Sequence, residues 1–303
     1  MYQKLLGLPD IPETEKDKSV PAFIKSTFEK ITDNKYDDVY HVYASLDDTS
    51  GLIYCNYETK IIETKIEQKK THRKSRHKKT IHKTQQCLFV ENLLKYVTVD
   101  EKTCIIDIGS GKGELSYLLS TVVNCDHFLI DITEPRNPIS AHINPTKVKY
   151  VVADATTYDY VNDPFLQNKK IIVVAKHFCS NLVDLTVKNI INIPKLVGIF
   201  YSPCCFEKMT KSTYVCPEHV DKFTDDEFKF MANKSSWSYV FTRKKYTDPF
   251  VPYLIKLGGI YRDYLQYGRI EYLKSRGFNV DCYHYVDYEV TPQNLFIAAI
   301  TKT

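Results

Sequence analysis

Residues 104–114 read Cys-Ile-Ile-Asp-Ile-Gly-Ser-Gly-Lys-Gly-Glu, and their order predicts a strand, a tight turn and the start of a helix. The apolar run Cys104–Ile108 predicts a buried strand. Gly109, Gly111 and Gly113 alternate through the turn, as backbone does where it needs positive φ or must approach a ligand too closely for a Cβ. Asp107 stands just before the turn, and Glu114–Ser120 continues in a helix-compatible pattern. A strand, a glycine turn and a helix N-terminus form the ligand-binding corner of an open α/β sheet. The spacing is G-x-G-x-G, without the further residue of a dinucleotide fingerprint and without the Lys-Ser/Thr ending of a P-loop. It suits S-adenosylmethionine, whose amino-acid end and sulfonium need room but carry no pyrophosphate. Gly109, Ser110, Gly111, Lys112 and Gly113 are therefore the expected cofactor loop.

Outward from this corner the sequence keeps a βαβ rhythm. Candidate strands are Cys104–Ile108, His127–Ile130, Val148–Val152, Ile171–Ala175 and Leu196–Tyr201, with a late pair near Val280–Val286 and Leu295–Ile300. Near-continuous Val/Ile/Leu runs are what strands covered on both faces require. The expected fold is α/β and Rossmann-like, a seven-stranded, mostly parallel sheet with an inserted substrate-binding region. Acidic residues end or follow three strands, one repeat apart: Asp107, Asp131 and Asp154. Ligands bind beyond the carboxyl ends of such strands, so we expect Asp107 to face the cofactor amino group and Asp131 the ribose hydroxyls. Asp154, with Ala155 beside it, is expected at the adenine. Strand Ile171–Ala175 delivers Lys176 and His177 to the same edge. Either can serve as a base, Lys176 if burial lowers its pKa.

Composition frames these motifs. With 303 residues, 43% hydrophobic and 26% charged, the chain can bury a full α/β core plus a smaller appendage. No apolar run reaches the roughly 18 residues of a membrane span, and the N-terminal stretch is too short in apolar residues for a signal peptide. Nine cysteines, mostly in apolar segments, read as reduced core residues of a cytoplasmic or nuclear protein. Cys204-Cys205 with Cys216-Pro-Glu-His219 suggests zinc, but adjacent cysteines rarely both face one ion, and no metal is expected. The net charge is +4, yet residues 69–83 alone hold eight Lys/Arg, three His and no acid, leaving the rest of the chain at −4. Such a segment, with Lys74, Arg76, Lys78 and Lys79 at its centre, is suited to a polyanion. A division follows into a helical and basic region, 1–83, read as RNA-binding, and a catalytic domain, 84–303. Helices are expected at Pro21–Ile31, Gln85–Val97 and Ile260–Arg276, and a capping box at Thr224–Glu227.

Five blocks resemble the eukaryotic tRNA 2′-O-ribose methyltransferases that modify the fourth nucleotide of the acceptor stem. They are His82-Lys-Thr-Gln-Gln86, Asp107–Ser116, Lys176-His-Phe-Cys-Ser-Asn-Leu-Val-Asp-Leu-Thr186, Cys204-Cys205, and a C-terminal group. The last comprises Ser235-Ser-Trp237, Tyr267-Gly-Arg-Ile-Glu-Tyr-Leu273 and Thr291-Pro-Gln-Asn294. The resemblance implies S-adenosylmethionine-dependent methylation of tRNA, with Lys176, His177, Asp184, Cys204 and Cys205 around the active site. Arg262, Arg269 and Lys274, with the basic run, are then expected on the phosphate backbone, a structural ion pair being the alternative for Arg269. The alternatives are another acceptor, rRNA or protein, and a non-catalytic RNA-binding relic. Three features depart from the family pattern. Ser180 replaces a glycine, Phe206 and Glu207 replace two histidines, and the N-terminal Cys/His finger elements are missing, only Cys55 preceding Cys87. The basic run would then supply the phosphate contact that the fingers make elsewhere. Oligomeric state is not readable from the sequence.

Overall fold

The computed structural model describes residues 26–27, 30–31, 73–240, 251–286, 290–291 and 293–302. They fall into two compact units. One contains 73–178, 186–204 and the described residues from 273 onward; the other contains 26–27, 30–31, 179–185, 205–240 and 251–272.

The first unit holds the sheet. Its strands are β1 (Thr103–Ile108), β2 (Asp126–Asp131), β3 (Val148–Val152), β4 (Lys170–Phe178), β5 (Leu196–Pro203), β6 (Phe278–His284) and β7 (Leu295–Thr301), in the order β3-β2-β1-β4-β5-β7-β6. β1 pairs in parallel with β2 and β4, as do β2 with β3 and β4 with β5, while β7 runs antiparallel to β5 and β6. This is a Rossmann-like, mostly parallel sheet, and all seven expected strands are present. Order reverses between β1 and β4, so the ends of those strands form the switch point where ligands collect.

β1 is buried along its whole length, which explains why it reads as a continuous apolar run. Helix α1 (Arg73–Tyr96) covers one face. Phe89, Val90, Leu93 and Val97 recur at helical spacing and pack on Ile105, Val174, Phe200 and Phe296. Phe89 meets Phe296 edge to face, 5.0 Å between ring centres, and full burial of such a ring stabilises by roughly 2–3 kcal/mol. The helix begins twelve positions before the expected Gln85, so it runs unbroken through the boundary expected at residue 83 and takes in much of the basic run. Helix α2 (Glu114–Val122) follows the glycine turn as expected.

In the second unit, helix α4 (Asp225–Lys234) has the expected capping box: Thr224 Oγ1 accepts from Glu227 N, and Glu227 Oε2 accepts from Thr224 N. Helix α5 (Val251–Ser275) is longer than expected, ending before Gly277 at φ +88°. Helix α3 (Ser180–Ile190) spans both residue sets. Of the expected Pro21–Ile31 helix, Ser26, Thr27, Lys30 and Ile31 are described and helical. Phe23, Ile24 and Phe28 lie outside the described residues. No helix among the described residues is long and apolar enough to cross a membrane.

Two cysteines depart from the reduced state expected for all nine. Cys179 and Cys204 are disulfide-bonded, while Cys87, Cys104, Cys125, Cys205, Cys216 and Cys282 remain thiols. Sequence position alone does not separate the two groups, since pairing depends on the distance and direction between Cβ atoms in the folded chain.

Candidate active site

β1 ends in three left-handed glycines, Gly109, Gly111 and Gly113, at φ +65°, +52° and +74°. The loop is pinned to β2, because Gly109 N and Ser110 N both donate to Ile130 O. Gly111 N donates to Asp131 Oδ2 at 2.9 Å. A Cβ built on Gly109 or Gly111 would meet nothing within 4 Å, whereas one on Gly113 would lie 2.6 Å from Ser140 Cβ and 2.7 Å from Leu129 Cδ2. The first two glycines therefore keep space open, and the third permits packing of the loop.

That space belongs to an open cavity of about 200 Å³, lined by Gln86, Asp107, Gly109, Ser110, Lys112, Glu114, Leu115, Lys176 and His177. Asp107 is 3% exposed and accepts a 2.7 Å hydrogen bond from Ser116 Oγ. Burial nevertheless raises its carboxyl to about 7, with the Asp131 charge pushing the same way and Ser116 opposing. Among the described residues Asp107 forms no ion pair. Ser110 Oγ is buried without a well-formed hydrogen bond, yet lies near enough to the Tyr150 phenol to oppose the rise that burial gives that phenol's pKa.

On the opposite wall, Lys176 Nζ donates to Gln85 Oε1 at 3.1 Å and lies 3.0 Å from His177 Nε2. Burial brings the Lys176 amine down to about 8, Glu114 working against the shift. His177 is displaced toward about 4, by desolvation first and then by the Lys176 and His82 charges. Its residue surface is open to solvent, which moderates the desolvation part. His82 meets the His177 ring edge-on at 6.0 Å.

Six expected residues thus share one cavity: Asp107, Gly109, Ser110, Lys112, Lys176 and His177. Gly111, Gly113 and Asp131 shape its loop without lining it. Asp131 also accepts from Thr133 N and Oγ1, both at 3.1 Å. Asp154 is exposed and binds Thr156 N and Oγ1 of its own turn, which lowers its pKa. The buried Ala155 uses its carbonyl to accept from Tyr160 Oη at 3.1 Å. Lys74, Arg76, Lys78 and Lys79 lie in α1, their side chains outside the described set. Gln85, Gln86, Glu114 and Leu115 were not anticipated as site residues, although all four belong to blocks that resemble the family.

Four expected substrate contacts, Asp184, Arg262, Arg269 and Cys204, are engaged with other protein groups, and Arg269 takes its alternative role in an ion pair. Arg269 and Asp184, 1% and 0% exposed in their side chains, bind each other with two hydrogen bonds, Nε to Oδ1 at 3.0 Å and Nη2 to Oδ2 at 2.6 Å. Arg269 Nη2 also donates to Ser180 O, and its guanidinium lies 5.1 Å over the Phe206 ring. A charge so enclosed cannot release counterions from a phosphate backbone. Arg262 is largely covered and pairs with Asp263. The Cys204 thiol is taken by its disulfide. Cys205 keeps its thiol and is half-buried, with its pKa raised by burial and its Sγ 3.7 Å from Ser180 Oγ. His219 stacks on Tyr264 with ring centres 4.2 Å apart, and its Nε2 faces Tyr264 O at 3.0 Å.

Ser180 has φ +45°. Its hydroxyl accepts from Lys208 N at 3.2 Å and donates to Cys205 O at 3.4 Å. These bonds offset part of the left-handed cost.

The model of the family described as Methyltransferase TRM13 matches residues 84–249, more than half of the chain. A relative from Vanderwaltozyma polyspora, described as tRNA:m(4)X modification enzyme TRM13, is 24% identical over 244 residues, covering 65% of this chain and 56% of its own. One of the same description from Scheffersomyces stipitis is 23% identical over 266 residues, covering 70% and 62%. The chain thus spans about three-fifths of the length of the curated relatives it matches. Among solved structures, magnesium protoporphyrin IX methyltransferase from Synechocystis PCC 6803 with bound SAH has a TM-score of 0.41 at 11% identity, covering 82% of this chain and 95% of that one.

Proposed function

The chain belongs to the TRM13 methyltransferase family, and from that membership we propose that it methylates a ribose 2′-hydroxyl of tRNA, at the fourth nucleotide of the acceptor stem, using S-adenosylmethionine. The observation that carries this reading is the cavity in which the open glycine loop meets Lys176.

The residues present fit the cofactor. A buried carboxyl without a cationic partner among the described residues, Asp107, is a cradle for a ligand's ammonium. The orphaned Ser110 hydroxyl offers a hydrogen bond in the same cavity, and Gly109 and Gly111 leave room where any side chain would intrude. At about 200 Å³ the cavity accommodates the amino-acid end. Asp131, at the tip of β2, is the residue for the ribose and Asp154 for the adenine edge. S-Adenosylmethionine supplies a methyl group already activated on a sulfonium, so positioning can carry most of the acceleration. A ribose hydroxyl is a poor nucleophile at neutral pH, and a base that takes its proton adds roughly 10²–10⁴-fold. Lys176, with its amine near 8, has that capacity.

The basic run supports an RNA acceptor. Lys74, Arg76, Lys78 and Lys79 share one unbroken helix with Gln85 and Gln86. At 1.5 Å per residue they lie roughly 9–17 Å along its axis from Gln85, close enough to hold phosphates flanking the reacting sugar. The test is incubation of the purified chain with labelled cofactor and unmodified tRNA, followed by mapping of alkali resistance. One resistant linkage after the fourth acceptor-stem nucleotide is expected; label on a base or on protein would overturn the assignment.

A further inference from the structure

We infer that Gln85 is a positioning residue which, together with His177, aims the lone pair of Lys176 at the acceptor hydroxyl. The inference rests on the methylation reading above and divides the work among residues which that reading leaves undivided.

Adjacent side chains on a regular strand leave opposite faces, so Lys176 and His177 should not touch. They do because β4 is irregular there. Its register with β5 shifts between Lys176 and Phe178, and His177 takes φ +61°, a conformation uncommon for a residue other than glycine. The backbone distortion brings His177 Nε2 to 3.0 Å from Lys176 Nζ. Gln85, 3% exposed on α1, places Oε1 3.1 Å from the same nitrogen. Strain at one residue and a buried amide on another element converge on a single amine.

The stoichiometry of that amine gives the arrangement its meaning. A neutral lysine has two N–H bonds and one lone pair. Gln85 Oε1 is one acceptor, and His177 Nε2 is the second in the neutral tautomer that carries its proton on Nδ1; in that tautomer both N–H bonds are taken and the lone pair is left as the remaining direction. When the acceptor O–H bond breaks, its proton joins Nζ and the bonding electrons stay on oxygen. The resulting ammonium keeps two hydrogen bonds to Gln85 and His177 and later loses the third proton to solvent. His177 cannot be both this acceptor and the base, so the geometry gives the base role to Lys176.

A neutral amide at position 85 is essential to this. Glu114 on α2 already favours the charged amine, Asp107 on β1 and Lys112 on the loop line the same cavity, and His82 on α1 stands behind His177. A carboxylate in place of Gln85 would hold Lys176 as ammonium and abolish the lone pair.

Competitive acetylation of the full chain from pH 6 to 11, read by mass spectrometry of the Lys176 peptide, tests this without substrate. The wild-type labelling midpoint is expected near 8, and in Gln85→Glu more than a full pH unit higher, as a nearby opposite charge requires. The pH–rate profile of methylation should rise by the same interval. Gln85→Leu, which removes the acceptor without adding charge, should lower kcat at least about tenfold while leaving KM for tRNA and cofactor affinity within about twofold. A Gln85→Glu midpoint matching wild type in a variant of normal melting temperature, or an unchanged kcat in Gln85→Leu, overturns the proposal. A shifted midpoint in a chain that methylates no tRNA would sink the substrate reading alone.

Discussion

Replacing Asp107 with asparagine should stabilise the ligand-free protein while weakening its hold on the cofactor. The carboxyl is 3% exposed and its pKa stands near 7 in the folded chain, against about 3.9 unfolded. A folded pKa above the unfolded one means that the folded state holds the proton more tightly. The contribution is therefore favourable at low pH and is lost as pH rises from about 4 to 7. Three pH units correspond to roughly 4 kcal/mol at most, and between pH 5 and 8 the loss is on the order of 2–3 kcal/mol. The amide of Asp107→Asn would keep the Ser116 hydroxyl bond and carry no charge, so this pH dependence should vanish from the variant.

Urea denaturation of both proteins at pH 5, 6, 7 and 8, without ligand, measures it. The midpoints should diverge as pH rises, Asp107→Asn becoming the more stable. With the cofactor present, wild type should regain ground, because the ligand ammonium supplies the missing charge; the variant should bind it at least about tenfold more weakly. Parallel midpoints across the pH series would refute the reasoning, since they would mean that Asp107 is solvated or already paired. A site that leaves a buried carboxyl uncompensated holds instability in reserve for its ligand.

Other outcomes follow from the same geometry. Gly111→Val should leave the sheet folded and abolish cofactor binding in calorimetry, whereas Gly113→Ala should cost about 2–4 kcal/mol of stability, from overpacking against Ser140 and Leu129 added to left-handed strain. Normal cofactor affinity in Gly111→Val would show that the ligand lies elsewhere. Arg269→Met strands the Asp184 carboxylate in the interior and should destabilise by about 3–5 kcal/mol in denaturant melts; a folded variant with weaker tRNA binding and a reduced salt slope would return Arg269 to the substrate. Ser180→Gly should stay within about 0.5 kcal/mol of wild type, and Ser180→Ala should lose about 1 kcal/mol with the Lys208 acceptor gone.

The fold was legible because its central strands are buried on both faces. Ile171–Ala175 and Leu196–Tyr201 are apolar without alternation, and set in a βαβ rhythm that pattern points to a parallel sheet covered on both faces. The glycine turn was legible for a related reason: three glycines at alternate positions suit backbone that turns left-handed at each of them, as it does here. Gln85, Gln86 and Glu114 carried no such mark, since polar residues on a helix have no local signature that separates a cavity wall from solvent. The meeting of Lys176 with His177 was hidden as well, because it depends on a strand irregularity and a positive φ that no residue at 177 announces. The extension of α1 back to Arg73 was missed because its cationic sequence lacks the apolar periodicity by which helices are recognised.

Arg269 shows why membership in a matching block does not reveal a residue's task. It shares one resemblance with Lys176 and His177, yet it is enclosed against Asp184 and Phe206 while they line a cavity. In the same C-terminal group, Asn294 uses its amide to donate to Val286 O at 2.8 Å, and its Oδ1 lies 2.7 Å from His284 Nδ1. A phosphate contact and a buried ion pair both demand a guanidinium, so sequence alone gives both the same letter. Burial separates them: a charge that must meet RNA has to remain hydrated until RNA arrives, and a charge held at 1% exposure has already exchanged water for a permanent partner. On the proposed reading, the role of meeting RNA falls to the cationic first turns of α1, which are continuous in one helix with Gln85.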